Sequence, residues 1–212
     1  MRHSITFSLA ALVLTALACA FGAQGNQPGT VLFQDDFSNP DSNWDRVNAS
    51  EGQTDYLNGV YRIYVGAVNT DVWANPGGLD FTNVHIEVDA SKAGGGDNNV
   101  FGLICRYRDE RNFYFLVVSS DGYQGIGRVK DGKQELLGSQ YMTPTDKLLP
   151  GEASNRLGAD CVGDRLALYA NGERIGEVTA QDFSSGNVGL IAGSIDSAGV
   201  DIHFDNFIVT QP

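Results

Sequence analysis

The stretch from Asn99 to Gly138, NVFGLICRYRDERNFYFLVVSSDGYQGIGRVKDGKQELLG, limits what this chain can fold into more than any other. Val100–Tyr107 and Asn112–Val118 are dense in Phe, Val, Ile, Leu and Tyr, and the charged run Arg108-Asp109-Glu110-Arg111 separates them. Such side chains suit a pleated surface. Asp121-Gly122 marks a second connection. Asp131-Gly132 marks a two-residue hairpin, because Asp-Gly supplies the positive φ angles that primed turns need. Neither Pro nor a 3.6-residue periodicity interrupts the stretch, so it predicts four consecutive strands.

The rest of the chain reads the same way. Val31–Phe33 opens the first strand, Gln53–Tyr56 and Val60–Val65 flank Asn58-Gly59, and Val72–Ala74 carries Trp73. From Asn83 to Ala90 the pattern alternates, with Val84, Ile86, Val88 and Ala90 on one face and His85, Glu87 and Asp89 on the other. That is a half-buried strand with one wet side. Ser139–Ser154, with Pro144 and Pro150, reads as a long surface loop of the kind that carries function. Asn155–Val162, Arg165–Ala170 and Glu173–Thr179 turn at Gly163-Asp164 and Asn171-Gly172, and Asn187–Ala192 and Val200–Val209 close the chain. About a dozen strands with a turn signal roughly every 8–12 residues predict an all-β antiparallel sandwich.

Residues 1–20 read as a signal peptide: Arg2 precedes the apolar run Ile5 to Leu17, and Ala18-Cys19-Ala20 offers a cleavage site before Phe21. A competing reading takes Ala16-Leu17-Ala18-Cys19 as a lipobox, with Cys19 lipidated. Either way the chain is expected to be exported, to the medium or the cell surface, with residues 21–30 as a polar tether and 31–212 as one sandwich domain without a transmembrane span. Export leaves two of the three cysteines, Cys105 and Cys161, each within a strand-like run. In an oxidising compartment they predict one disulfide, worth about 4 kcal/mol if unstrained; two buried free thiols are the alternative. The formal charge of −12 becomes about −13 once Arg2 is removed. That balance argues against nucleic acid and anionic membranes, and leaves neutral polymers or cations as partners.

The strings FGLICRYRDERNFYF, NRLGADCVGDRLALYANGERIGEV and SGNVGLIAGSIDSAGVDIHFDNFIV resemble exported bacterial domains of the concanavalin A-like lectin/glucanase superfamily. Within it they are most similar to the 3-keto-disaccharide-hydrolase-like, family-16-hydrolase-like domains. The resemblance runs from Asp35-Asp36-Phe37 to Phe204-Asp205-Asn206-Phe207 and implies a jelly roll of two curved sheets. It leaves activity open, since lectins, hydrolases and adhesion modules share that scaffold. It also implies a calcium ion near the first and last strands, where Asp36 and Asp205 match the arrangement and hard oxygens suit the ion.

Family-16 hydrolases use a Glu-x-Asp-x-x-Glu strand. Here Glu87-Val88-Asp89 imitates its beginning, but Lys92 stands where the second Glu is needed, so the acid pair of a retaining glycosidase is incomplete. Asp201, His203 and Asp205 alternate along the closing strand and read as a metal site, an oriented base or merely a wet edge. Sugar binding needs aromatic faces and planar polar groups in a groove, for which Arg106, Tyr114, Tyr123 and Trp73 are the candidates; their alternative is ordinary core packing. The sequence therefore points to a non-catalytic carbohydrate-binding or surface-recognition domain that uses its concave sheet. A glycoside or 3-keto-glycoside hydrolase with an unrecognised acid pair, and a structural subunit of an extracellular assembly, are the alternatives.

Overall fold

A computed structural model describes residues 27–212. The expected leader, Cys19 and the tether up to residue 26 lie outside the described residues. Sixteen strands follow in order: β1 (Val31–Asp35), β2 (Val47–Asn48), β3 (Gly52–Leu57), β4 (Val60–Val65), β5 (Thr70–Ala74), β6 (Val84–Gly94), β7 (Asn99–Asp109) and β8 (Asn112–Val118). Then come β9 (Tyr123–Lys130), β10 (Lys133–Leu136), β11 (Thr143–Pro144), β12 (Asn155–Val162), β13 (Arg165–Ala170), β14 (Glu173–Thr179), β15 (Asn187–Ser194) and β16 (Val200–Thr210). No helix occurs among the described residues. The short β11, paired with β9, lies inside the segment expected to be loop.

The strands form two antiparallel sheets, as the all-β expectation requires. A nine-stranded sheet runs β14-β13-β12-β6-β16-β4-β3-β2, with β1 also on β16; a seven-stranded sheet runs β10-β9-β8-β7-β15-β5, with β11 on β9. Between them lies the core. Ile86, Val88, Leu157, Ala159, Ile63, Ile202 and Phe204 of one sheet meet Leu103, Leu116, Val118, Leu190 and Ala192 of the other. Cys105 on β7 and Cys161 on β12 form the disulfide, with 6.7 Å between Cα atoms, and it staples one sheet to the other.

The seven-stranded sheet is rolled. Its edges β5 and β10 are five strand steps apart, about 24 Å in a flat sheet. Yet Asp71 on β5 and Gln134 on β10 line the same hollow, close enough for Gln134 to lower the Asp71 carboxyl. Trp73 on β5 likewise packs at 5.5 Å on Phe113 of β8, three steps away. A second apolar cluster, Ile104, Phe113, Phe115, Val117, Val129 and Ile191, is thereby buried on the face turned away from the sandwich core.

A β-bulge reverses the expected facing at Arg106. The register with β8 slips between Cys105 and Asp109, and Arg106 adopts a left-handed φ of 52°. A regular strand would place Arg106 opposite Cys105 and Tyr107. Here Arg106 is instead 2% exposed, and its guanidinium donates to the carbonyls of Phe183 at 2.8 Å, Gly163 at 2.6 Å and Thr82 at 3.3 Å. Tyr107 goes to the rolled face and packs on Phe113 at 5.4 Å.

The outer face of the nine-stranded sheet is polar and internally paired. Arg156 bridges Glu87 and Asp89, each at 3.3 Å, and Arg62 clasps Asp201. His85 Nδ1 lies 2.7 Å from Asp160, whose other oxygen accepts from Arg165 and the Tyr169 hydroxyl. The Asp160 bond raises the His85 pKa. Burial alone would lift Asp160, but the bonds from His85, Tyr169 and Arg165 outweigh it and hold the carboxyl low.

Replacing both cysteines by Ala should cost about 4 kcal/mol in urea unfolding. Arg106→Ala should cost about 3 kcal/mol, since three charge-assisted bonds to buried carbonyls are lost. Arg106→Gly should be roughly 1 kcal/mol milder, because Gly accepts the left-handed φ without strain; equal losses would place the strain elsewhere. Because the His85 pKa is raised on folding, its contribution is complete below about pH 6.5, the unfolded value, and is lost as pH rises through the folded one. The urea midpoint should therefore fall as pH rises from that point, and His85→Gln should flatten the fall.

Candidate functional site

The rolled sheet encloses a hollow of about 520 Å³. Its floor is apolar: Phe115 and Val117 from β8, Val100 from β7 and Ile191 from β15. These side chains can stand side by side because the neighbouring strands carry glycine on the same face. A Cβ at Gly127 would run into the Phe115 ring, and one at Gly193 into the Asp71 carboxylate.

Polar groups enter from the two edges of the sheet. Asn69, Thr70 and Asp71 come from the β5 side, and Gln134, Glu135 and Gln140 from β10 and the segment after it, with the apolar Met142 beside them. Burial raises the Asp71 pKa, and the hydrogen bond from Gln134 opposes the rise. Glu135 is already engaged by Arg128, through Nε at 2.9 Å and Nη2 at 2.6 Å. Asp71 is thus the one carboxylate lining this hollow that has no cation on it. An apolar floor with a few convergent polar groups is the composition of a small-molecule site.

Beside it, between β5 and the β2–β3 hairpin, lies a cleft of about 410 Å³ lined by Trp73, Tyr107, Val72, Asp45, Glu51 and Glu110, with Asp71 shared between the two. Trp73, expected to face a ligand, lines this cleft and not the hollow, and lies close enough to Tyr107 to lower its hydroxyl pKa against burial. Tyr123, at 41% exposure, starts β9 opposite Pro144, four strands from Trp73.

The other two expected ligand residues are internal. Arg106 is spent on three carbonyls, as described above. Tyr114 is 0% exposed between the sheets, where its hydroxyl accepts from the backbone N–H groups of Asp182 at 2.8 Å and Phe183 at 3.1 Å. Both side chains are buried and bonded to backbone groups. The structure therefore does not bring the four expected residues together. It brings Asp71, Gln134 and Gln140 together instead.

Glu87 and Asp89 lie on the opposite sheet from the hollow and are neutralised by Arg156, while Lys92 pairs with Asp97. His203 sits 3.5 Å from Asp201, which Arg62 already holds, so it is not an isolated base. The register of β16 also slips between Asp205 and Ile208, which breaks the even alternation expected there.

Asp36 and Asp205, the expected calcium donors, each accept hydrogen bonds from their own turns. Asp36 accepts from the Ser38 amide at 3.0 Å and hydroxyl at 2.6 Å, within its own turn. Asp205 accepts from Asn206 N at 2.7 Å. The buried acid at this end, Asp35, binds Phe37 N, Ser42 Oγ and Trp44 Nε1, so it organises an aromatic cluster. Calcium takes about six to eight oxygens. Among the described residues no three His, Cys, Asp or Glu are grouped to hold a metal.

No family model and no curated protein matches the sequence. Solved structures do match the fold. A carbohydrate-binding module from Bacillus subtilis aligns with a TM-score of 0.55 at 19% identity, over 80% of this chain and 96% of that one. A β-glucanase from Bacillus licheniformis aligns at 0.62 and 10% identity, over 88% and 100%. The catalytic domain of a Thermotoga petrophila endo-1,3-β-glucanase (laminarinase) aligns at 0.60 and 10% identity, over 86% and 98%. At such identities the likeness speaks to architecture alone: two curved antiparallel sheets packed as a jelly-roll sandwich.

Proposed function

We propose that this chain is a non-catalytic carbohydrate-binding domain whose site is the hollow of the seven-stranded sheet. The observation that carries the reading is the meeting, above Phe115, Val117 and Ile191, of a carboxylate and two amides from opposite edges of one sheet: Asp71, Gln134 and Gln140. Apolar side chains suit the C–H face of a sugar ring, and planar amide and carboxylate groups suit paired hydroxyls. The similar solved structures, one titled a carbohydrate-binding module and two titled glucanases, support a carbohydrate role. The disulfide and the acidic surface suit an exported protein.

One observation favours the hydrolase reading as a second possibility. Burial raises the Asp71 carboxyl, as a general acid requires. Its weakness is the missing partner: a glycosidase needs two acids, and Glu135 is held by Arg128.

Calorimetry against whole and fragmented laminarin, xylan, galactan and amylose tests both readings. The expected result is binding to one of them without release of reducing ends. Asp71→Asn, close to isosteric, should weaken that binding roughly 10–100-fold, the worth of a charged hydrogen bond. Release of reducing ends that stops in Asp71→Asn establishes the enzyme instead, and no binding to any member overturns the carbohydrate reading.

A further inference from the structure

At one end of the rolled sheet Trp73 from β5, Phe113 from β8 and Tyr107 from β7 stack, with ring centroids 5.5 and 5.4 Å apart. Phe113 is 1% exposed, so the stacked rings fill the trough there. None of the three lines the hollow; Trp73 and Tyr107 face the neighbouring cleft instead. Along the side, Gln134 of β10 and Asp71 of β5 come close enough across the trough for Gln134 to lower the Asp71 carboxyl. The opposite end, where Ser194 pairs with both Asn99 and Thr70, carries the exposed Asn69, Gln140 and Ile195.

This shape decides what kind of glycan segment can enter. An internal sugar carries chain on both sides, so its site must be open in two directions. A terminal sugar carries chain on one side only. We propose that the hollow is a blind pocket that takes the terminal sugar of a glycan and excludes internal segments of the chain. It rests on the carbohydrate-binding reading above and adds to it the class of ligand.

In this arrangement the terminal ring lies on Phe115 and Ile191, its hydroxyls meet Asp71 and Gln134 at the closed side, and the next sugar leaves past Gln140 and Ile195. The bulge at Arg106 matters here although its side chain never touches ligand. By turning Tyr107 to the rolled face it supplies one of the three rings that shut the far end.

The test is calorimetric titration of the wild-type protein with the same four polysaccharides, each whole and after enzymatic trimming to short oligomers, at equal mass. A blind pocket predicts that sites per gram rise by the same factor as the number of chain ends, with an unchanged dissociation constant per end. Sites per gram that stay constant on trimming, or binding that weakens as the polymer is shortened, overturn the terminal-sugar proposal while leaving carbohydrate binding intact. Absence of binding to every whole and trimmed glycan overturns the carbohydrate reading, and this proposal with it.

Discussion

A strand with large apolar side chains on both faces must have both covered, and β8 is such a strand. Tyr114, Leu116 and Val118 point into the sandwich, while Phe113, Phe115 and Val117 point away from it, and all six are buried. In an α/β protein a helix would lie over the second face. The described residues contain no helix, so the cover has to come from the sheet itself. Rolling brings Trp73 from one edge and Leu136 and Met142 from the other over β8. Exposing Phe113, Phe115 and Val117 would cost on the order of 2 kcal/mol each, enough to drive the curl. The hollow is therefore a by-product of burying β8, left where the roll is incompletely filled.

The roll also explains why the two sheets have divided the labour. The nine-stranded sheet buries one face only, and its wet face is a lattice of mutually satisfied charges around Arg156, Arg62 and Asp160. Groups so paired offer little to an incoming neutral ligand, which would have to displace each partner. The rolled face offers the reverse: few polar groups, set close to apolar surface in a place with restricted water. The same Glu87 and Asp89 that imitate a hydrolase motif are spent on a cation, whereas Asp71, in no motif at all, stands where chemistry is possible.

The parts of this architecture legible in the sequence are those written locally. Asn155–Val162, Arg165–Ala170 and Glu173–Thr179 have the same limits in the structure as in the reading, because Asn-Gly and Gly-Asp turns punctuate them and Pro is absent. The Asn83–Ala90 alternation became β6, and the two strand-centred cysteines became the inter-sheet staple. The facing of Arg106 is not legible, because the bulge breaks strand parity and a left-handed Arg leaves no mark of the kind Gly or Asn would leave. The Phe-rich run was recognised as strand, but not that burying both of its faces would demand a roll. Asp71 and Gln134 had no local signal, since each is a polar residue on an edge strand and their meeting depends on that roll.

The disulfide acquires a meaning in this light that its stability contribution does not exhaust. Cys105 immediately precedes the bulged Arg106, and Cys161 lies two residues before Gly163, whose carbonyl takes the Arg106 guanidinium. Covalent and hydrogen-bonded ties therefore fix the same point of β7 to the same point of β12–β13, one on each side of the change in facing. Tyr107 is the next residue. Its ring helps to shut the rolled trough, so the position of that ring is set by a tether to the opposite sheet rather than by the flexible edges that form the mouth. The end of the trough nearest Tyr107 is thus tied to the opposite sheet, while the walls of the hollow come from edge strands and can adjust.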